Sequence, residues 1–236
     1  MQDIFGQAVL DFYNGHHTED IKTFSSFNEE DALPLAHLFR EYDDMPILEQ
    51  KALQRCKGSI LDIGCGAGPH SHYLQHHGFD VTALDSSKTA IEVCRARGIE
   101  KTIHSSILEY RGTTFDTLLL LMNGIGIVGK LNQLEAYLNH FKLLLNAGGQ
   151  ILLDSTDIIY MYEQDDDGGY WIAGDREYYG EMQFQMQYKG KKGSVFDWLY
   201  LDFETLSNTA KNCGFDCHLV SQGPHYDYLA RLVPKP

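Results

Sequence analysis

The spacing of hydrophobic and polar positions divides the chain into alternating short strands and helices. Residues 60–63, Ile-Leu-Asp-Ile, form an apolar run that stops at a glycine-rich stretch, as a buried parallel strand would. Residues 79–84 alternate and close on Asp85, residues 101–104 give a short strand, and residues 115–122 are apolar except for Asp116. Residues 150–154 predict a fifth strand. Between the strands lie helical spacings. Residues 70–77 follow Pro69, which a first helical turn tolerates. Residues 87–97 carry Ala90, Ile91, Val93 and Cys94 on one face, and residues 131–145 carry Leu134, Leu138 and Phe141. Such alternation predicts a doubly wound parallel sheet, because right-handed crossovers place helices on both faces.

The pattern then changes. Residues 156–175 are acidic and aromatic, with a loop at 165–169. Residues 181–188 alternate strictly, residues 189–193 are a turn, and residues 195–201 return, which predicts an antiparallel hairpin. A helix is expected over 203–213. Strands over 215–221 and 226–232 follow, joined by a connection too short for a crossover and therefore antiparallel.

The first 45 residues are less regular. Ile4, Phe5, Ala8, Val9 and Phe12 have a helical spacing, and Tyr13-Asn14-Gly15-His16-His17 breaks it. The interrupted apolar residues from Phe24 to Phe39 read as short helices joined by loops, either a flap over a site or a packing extension. Asp44 and Pro46 then start a helix that runs to about Cys56.

Charge narrows the partners. The formal net charge is −14, a field that repels phosphate backbones, so no nucleic-acid partner is expected. No apolar run is long enough for a membrane span, and residues 1–10 lack the basic region of a secretory signal. The five cysteines fit no disulfide framework or zinc site, and they read as reduced thiols in a cytoplasmic protein. No metal site is expected.

The chemistry concentrates after the first parallel strand. Gly64, Gly66 and Gly68 stand at alternate positions, and Pro69 occupies the place of the third glycine of a dinucleotide fingerprint. Asp85 ends the next strand, nineteen residues after Gly66. A carboxylate there accepts both ribose hydroxyls of an adenosine ligand, whether NAD or S-adenosylmethionine. Residues 60–68, 81–85, 115–126 and 148–153, with the antiparallel tail, resemble the class I S-adenosylmethionine-dependent methyltransferases. The likeness runs from about residue 45 to the C-terminus, and residues 123–126 and 226–231 look like a bacterial group of these enzymes.

The resemblance implies an α/β fold: a seven-stranded, mostly parallel Rossmann-like sheet of order 3-2-1-4-5-7-6 with an antiparallel last strand. A helical flap (1–45) would precede a methyltransferase domain (46–236) carrying an insertion (156–201) that acts as a lid or, less favoured, a dimer arm. It implies S-adenosylmethionine as cofactor. Asp62, Gly64, Cys65, Gly66 and Gly68 would underlie its methionine and ribose, Asp85 would hold the ribose with Ser86 beside it toward the adenine, and Ser106 and Ile107 would meet the adenine. Met122 and Asn123 would face the sulfonium, with Asn123 the candidate catalytic group. Candidates for contact with a small-molecule acceptor are Tyr13, His16, His17, Asp154, Asp157, Tyr170, Trp171 and Trp198. The expected assembly is a monomer or homodimer. A non-catalytic S-adenosylmethionine-binding protein and an NAD-dependent oxidoreductase remain the alternatives, and Pro69 and the antiparallel tail weigh against the latter.

Overall fold

A computed structural model describes residues 3–27, 29–165, 167–172 and 177–235. Asp166 of the expected acidic loop and residues 173–176 of the insertion lie outside the described residues. Helix α1 (Ile4–Tyr13) is capped by Asp3, whose carboxylate accepts the Gly6 N–H at 2.8 Å. Strands β1 (Ile21–Ser25) and β2 (Glu30–Leu33) form a hairpin. Helix α2 (Ile47–Leu53) starts behind Pro46 and leads to β3 (Ser59–Ile63). The chain then alternates through α3 (Pro69–His76), β4 (Asp80–Asp85), α4 (Lys88–Ala96), β5 (Lys101–His104), β6 (Phe115–Leu120), α5 (Leu134–Leu143) and β7 (Leu145–Thr156). The hairpin β8 (Glu181–Tyr188) and β9 (Lys191–Leu199) follows, then α6 (Phe203–Asn212), β10 (Phe215–Gln222) and β11 (Asp227–Pro234).

The seven-stranded sheet has the order β10-β11-β7-β6-β3-β4-β5, which is the expected 3-2-1-4-5-7-6. β3 pairs in parallel with β4 and β6, whereas β11 runs antiparallel to β7 and β10. The strands read as continuous apolar runs because both faces are buried. Leu61, Leu118, Leu120, Ile151 and Leu153 pack towards Leu138, Phe141 and Leu206 of the helices on one side. Their neighbours Ile60, Leu119 and Leu152 pack towards Leu48, Ala52 and Leu74 on the other. Each fully buried leucine contributes about 1.5–3 kcal/mol. The sheet order reverses at β3, so the carboxyl ends of β3, β4, β6 and β7 open on one crevice, the usual ligand position in such sheets.

A second sheet, of order β2-β1-β8-β9, is antiparallel throughout. It corrects the reading of the residues from Phe24 to Phe39 as short helices joined by loops. Helical turns are present at Leu35–Phe39 and Tyr42–Asp44, but Ile21–Ser25 is a strand, with Thr23 opposite Met186 of β8. A partner more than 150 residues away overrides a weak local preference. The N-terminal segment and the insertion thus build one sheet together rather than a separate helical flap and a separate hairpin. Lys189 and Gly190, both at positive φ, make the two-residue turn of the β8–β9 hairpin, so β9 begins earlier than the pattern suggested. Among the described residues no helix is long and apolar enough to cross a membrane. All five cysteines are free thiols.

Candidate functional site

The glycine turn joins β3 to α3. Gly64 has φ +73°, is exposed, and a Cβ added there would meet nothing within 4 Å, so open space lies above its backbone. Gly68 differs. It is the αL residue before α3, and a Cβ there would fall 2.4 Å from Ile99 Cδ1. Its glycine serves close packing, and Gly64 leaves the room for a ligand.

Asp85 organises this turn. Its Oδ2 accepts the Gly66 N–H at 2.9 Å and its Oδ1 accepts the Ser87 N–H at 2.7 Å. Burial pushes its carboxyl above the usual range, opposed by these two hydrogen bonds. Each carboxylate oxygen retains a lone pair for a ribose hydroxyl. Asp62 is buried on β3 and accepts the Ser71 hydroxyl at 2.6 Å, so it ties α3 to the strand. The Cys65 thiol turns inward, 3.9 Å from Cys94 Sγ. Only its backbone belongs to the turn's outer face. Ser86 is exposed, and its carbonyl accepts His104 Nε2–H at 3.1 Å. Ser106 is half-buried with its carbonyl closing a helical turn, while Ile107 is part of the main core.

The end of β6 is held in an uncommon backbone. Met122 and Asn123 lie at φ 64° and 53°, both left-handed. Asp154 on β7 spans them, accepting the Met122 N–H at 3.1 Å and the Gly124 N–H at 3.0 Å. Burial raises the Asp154 carboxyl to about 7 against those hydrogen bonds. The Asn123 side chain is engaged at both ends: Nδ2 donates to the Leu199 carbonyl at 3.1 Å, and Oδ1 accepts the Ser155 hydroxyl at 2.9 Å. These bonds tie β9 and β7 to the β6 loop.

A buried charged cluster that the sequence reading missed adjoins the turn. Arg40, Glu49 and His70 are all nearly inaccessible, and His70 is the second residue of α3. Glu49 accepts His70 Nε2–H at 2.7 Å and pairs with the Arg40 guanidinium. Burial works to raise the Glu49 carboxyl, but the His70 hydrogen bond and the charges of His70 and Arg40 outweigh it and hold it low. Among the described residues Arg40 Nε is a buried side-chain nitrogen without a hydrogen-bond partner. The only sequence signal was an arginine set directly behind the apolar Leu38-Phe39.

Helix α1 covers the turn with the end opposite to the one expected. Asp3 Oδ2 accepts the Ser87 hydroxyl at 2.7 Å, and the Phe5 ring lies 3.4 Å from where a Gly66 Cβ would be. Tyr13 donates to the Ala96 carbonyl, at the far end of α4. α1 therefore runs parallel to α4, with Asp3 at the Ser87 end and Tyr13 at the Ala96 end, and His16 and His17 follow beyond Tyr13. His17 packs on Phe12, and the His16 carbonyl accepts Lys189 Nζ.

Beyond the Asp154 brace a cavity of about 460 Å³ opens between the two sheets, with Thr156 and Ile158 on the β7 side and Thr23, Met182 and Phe184 on the other. Asp157 accepts the Tyr179 hydroxyl at 2.8 Å and the Ile159 N–H, which keeps it out of the lining. Trp198 packs against Gly126, where a Cβ would lie 2.1 Å from its Nε1. Trp171 and Tyr170 are exposed, and the Trp171 N–H donates to the Glu163 carbonyl.

These features suit S-adenosylmethionine. The space above Gly64 admits a ligand against the backbone, Asp85 keeps acceptor capacity for a ribose, and the unpaired Arg40 Nε near the start of α3 is complementary to an amino-acid carboxylate. The description "Methyltransferase domain" matches residues 60–149. A solved S-adenosylmethionine-dependent methyltransferase from Bacteroides fragilis, in complex with S-adenosyl-L-homocysteine, is 42% identical, with a TM-score of 0.91 over 99% of this chain and 95% of that one. The cypemycin N-terminal methyltransferase of a Streptomyces species is 26% identical over 42% of each protein. The ubiquinone biosynthesis O-methyltransferase of Alkalilimnicola ehrlichii is 36% identical over 25% of this chain and 23% of that one. The matches thus span less than half the length of these two curated relatives. With the glycine turn, the strand order and a near full-length relative in agreement, the chain belongs to the class I S-adenosylmethionine-dependent methyltransferases.

Proposed function

We propose that the protein transfers a methyl group from S-adenosylmethionine to a small molecule held in the cavity between the two sheets. The observation that carries this reading is the position of the cavity. Thr156 lines it and lies two residues beyond Asp154 on the same strand, so the two side chains share a face about 7 Å apart. The acceptor space thereby adjoins the loop at the end of β6.

The cofactor, when bound, supplies a methyl carbon on a positively charged sulfur, and transfer to an acceptor lone pair leaves S-adenosylhomocysteine. The chain's own residues bind and orient. Asp85 takes the ribose hydroxyls, Arg40 the methionine carboxylate, and the Gly64–Gly66 backbone the space between. Asp154 and Asn123 hold the β6 loop rigid against the acceptor. Positioning of this kind accounts for about 7–11 kcal/mol of barrier and needs no catalytic triad. Of the two curated relatives, one is named as an N-terminal methyltransferase of cypemycin and the other as an O-methyltransferase of ubiquinone biosynthesis.

Calorimetry with S-adenosylhomocysteine and with NAD tests the cofactor, and transfer of a labelled methyl group across a metabolite panel tests the activity. Saturable S-adenosylhomocysteine binding with a labelled small product is expected. NAD binding instead would overturn the cofactor reading, and cofactor binding with no labelled product from any extract would leave a non-catalytic binding protein.

A further inference from the structure

We propose that the cavity between the two sheets selects a cationic, amine-bearing acceptor with an apolar or aromatic body. This rests on the methyltransferase reading and adds the chemical class of the acceptor.

Charge gives the first argument. Glu29, Asp31 and Asp227 line the cavity, and among the described residues neither lysine nor arginine does. Among the described residues none of these three carboxylates is in an ion pair. Asp31 Oδ1 accepts the Ala32 N–H at 2.7 Å and Asp227 Oδ1 accepts the His225 N–H at 3.0 Å, and those bonds leave acceptor capacity on both groups. Carboxylates of one sign around a cleft with low-dielectric walls focus a negative potential into it, which draws an ammonium and repels a carboxylate or phosphate.

Tyr160 lines the cavity, and its ring stacks on Tyr226 with centroids 5.1 Å apart, yet the two residues are 50% and 62% exposed. Tyr226 sits between the lining residues His225 and Asp227. An exposed pair of phenol faces beside unpaired carboxylates is a platform for a cation or a flat apolar group. Apolar surface comes from both sides: Ile158 on the β7 side and Met182 on β8 are each 3% exposed, and Phe184 stands two residues beyond Met182. A body of the size of one aromatic ring is thus gripped by Met182 and Phe184 while its ammonium faces the acidic rim.

The test uses three probes of one shape on the full chain saturated with S-adenosylhomocysteine: phenethylamine, 2-phenylethanol and phenylacetate, at pH 7, by saturation-transfer NMR and titration. Phenethylamine is expected to bind at least tenfold more tightly than phenylacetate, with the alcohol between them. The double variant Glu29→Gln, Asp31→Asn lies on the exposed β1–β2 hairpin, so the fold is not at risk. It is expected to lower phenethylamine affinity at least fivefold and to leave 2-phenylethanol within twofold. Equal or tighter binding of phenylacetate, no binding of phenethylamine, or an amine affinity unmoved by the double variant would each overturn the assignment. The cofactor titration keeps the two claims apart. Failure to bind S-adenosylhomocysteine removes the methyltransferase reading, whereas cofactor binding without amine selectivity removes this inference alone.

Discussion

Asp154 Oδ2 accepts the backbone N–H of Met122 at 3.1 Å, and this contact fixes the end of β6 from the neighbouring strand. The other oxygen takes the Gly124 N–H at 3.0 Å. Between them Met122 and Asn123 hold left-handed backbone that costs roughly 1–2 kcal/mol per residue. Asp154→Ala removes both acceptors and leaves two N–H groups to find water. A loss of about 1–3 kcal/mol is expected in urea denaturation at pH 5, where the carboxyl is protonated, since each of the two hydrogen bonds contributes about 0.5–1.5 kcal/mol. Unchanged stability would mean that the carboxylate does not brace the loop.

The same carboxylate gives a pH signature. Its pKa is raised by burial to about 7 in the fold, from an ordinary value of 3.8. Between those values the native state binds the proton more readily than the unfolded chain does. The stability that protonated Asp154 contributes is therefore complete below about pH 4 and is lost as pH rises through 7. Asp154→Asn has no such proton. The stability difference, wild type minus variant, is expected to shrink from pH 5 to pH 8 in thermal melts. A difference that grows over that range would reverse the assignment.

Asp85 is expected to govern cofactor affinity through the turn as well as through the ribose. It holds the Gly66 N–H at 2.9 Å and the Ser87 N–H at 2.7 Å, so Asp85→Ala loosens the turn and deletes the hydroxyl acceptor together. A fall in S-adenosylhomocysteine affinity of about 10–100-fold is expected by calorimetry, the equivalent of one or two charge-assisted hydrogen bonds. Asp85→Asn keeps one acceptor oxygen and should fall between the two. If Asp85→Ala binds as wild type does, the ribose lies elsewhere.

The parts of this site that were legible in the sequence are those set by neighbouring residues. The turn at Gly64, Gly66 and Gly68 needs positive φ at each glycine, and three glycines in five positions announce it. The parallel strands were legible as apolar runs that are buried on both faces, and their order came with the resemblance to the class I methyltransferases. What was not legible depends on distant partners. Arg40, Glu49 and His70 are separated by 9, 21 and 30 residues, and buried charges leave no periodic trace. The pairing of β1 with β8 joins segments that local propensity cannot link. Asn123 stands at the end of β6 as expected, but that Ser155 and the Leu199 carbonyl occupy its amide depends on distant strands. Where Tyr13, His16 and His17 stand is set by the direction in which α1 crosses α4, which is a tertiary fact.

That direction makes Asp3 the residue through which α1 acts on the site. One of its oxygens caps α1 through the Gly6 N–H, and the other takes the Ser87 hydroxyl at 2.7 Å, while Ser87 itself caps α4 through the Ala90 N–H at 3.0 Å. Two helix starts are thus joined beside the turn, with Phe5 lying over Gly66. Loss of one capping carboxylate costs about 0.5–2 kcal/mol. If α1 closes over the cofactor, S-adenosylhomocysteine should slow amide exchange across residues 4–13 in the wild type. Asp3→Ala should speed exchange there in the free protein and weaken cofactor binding several-fold, with protection of β3 and β6 unchanged. Exchange over α1 that is indifferent to the cofactor would make the helix a packing extension, since a cover must be more stable with its ligand in place than without it.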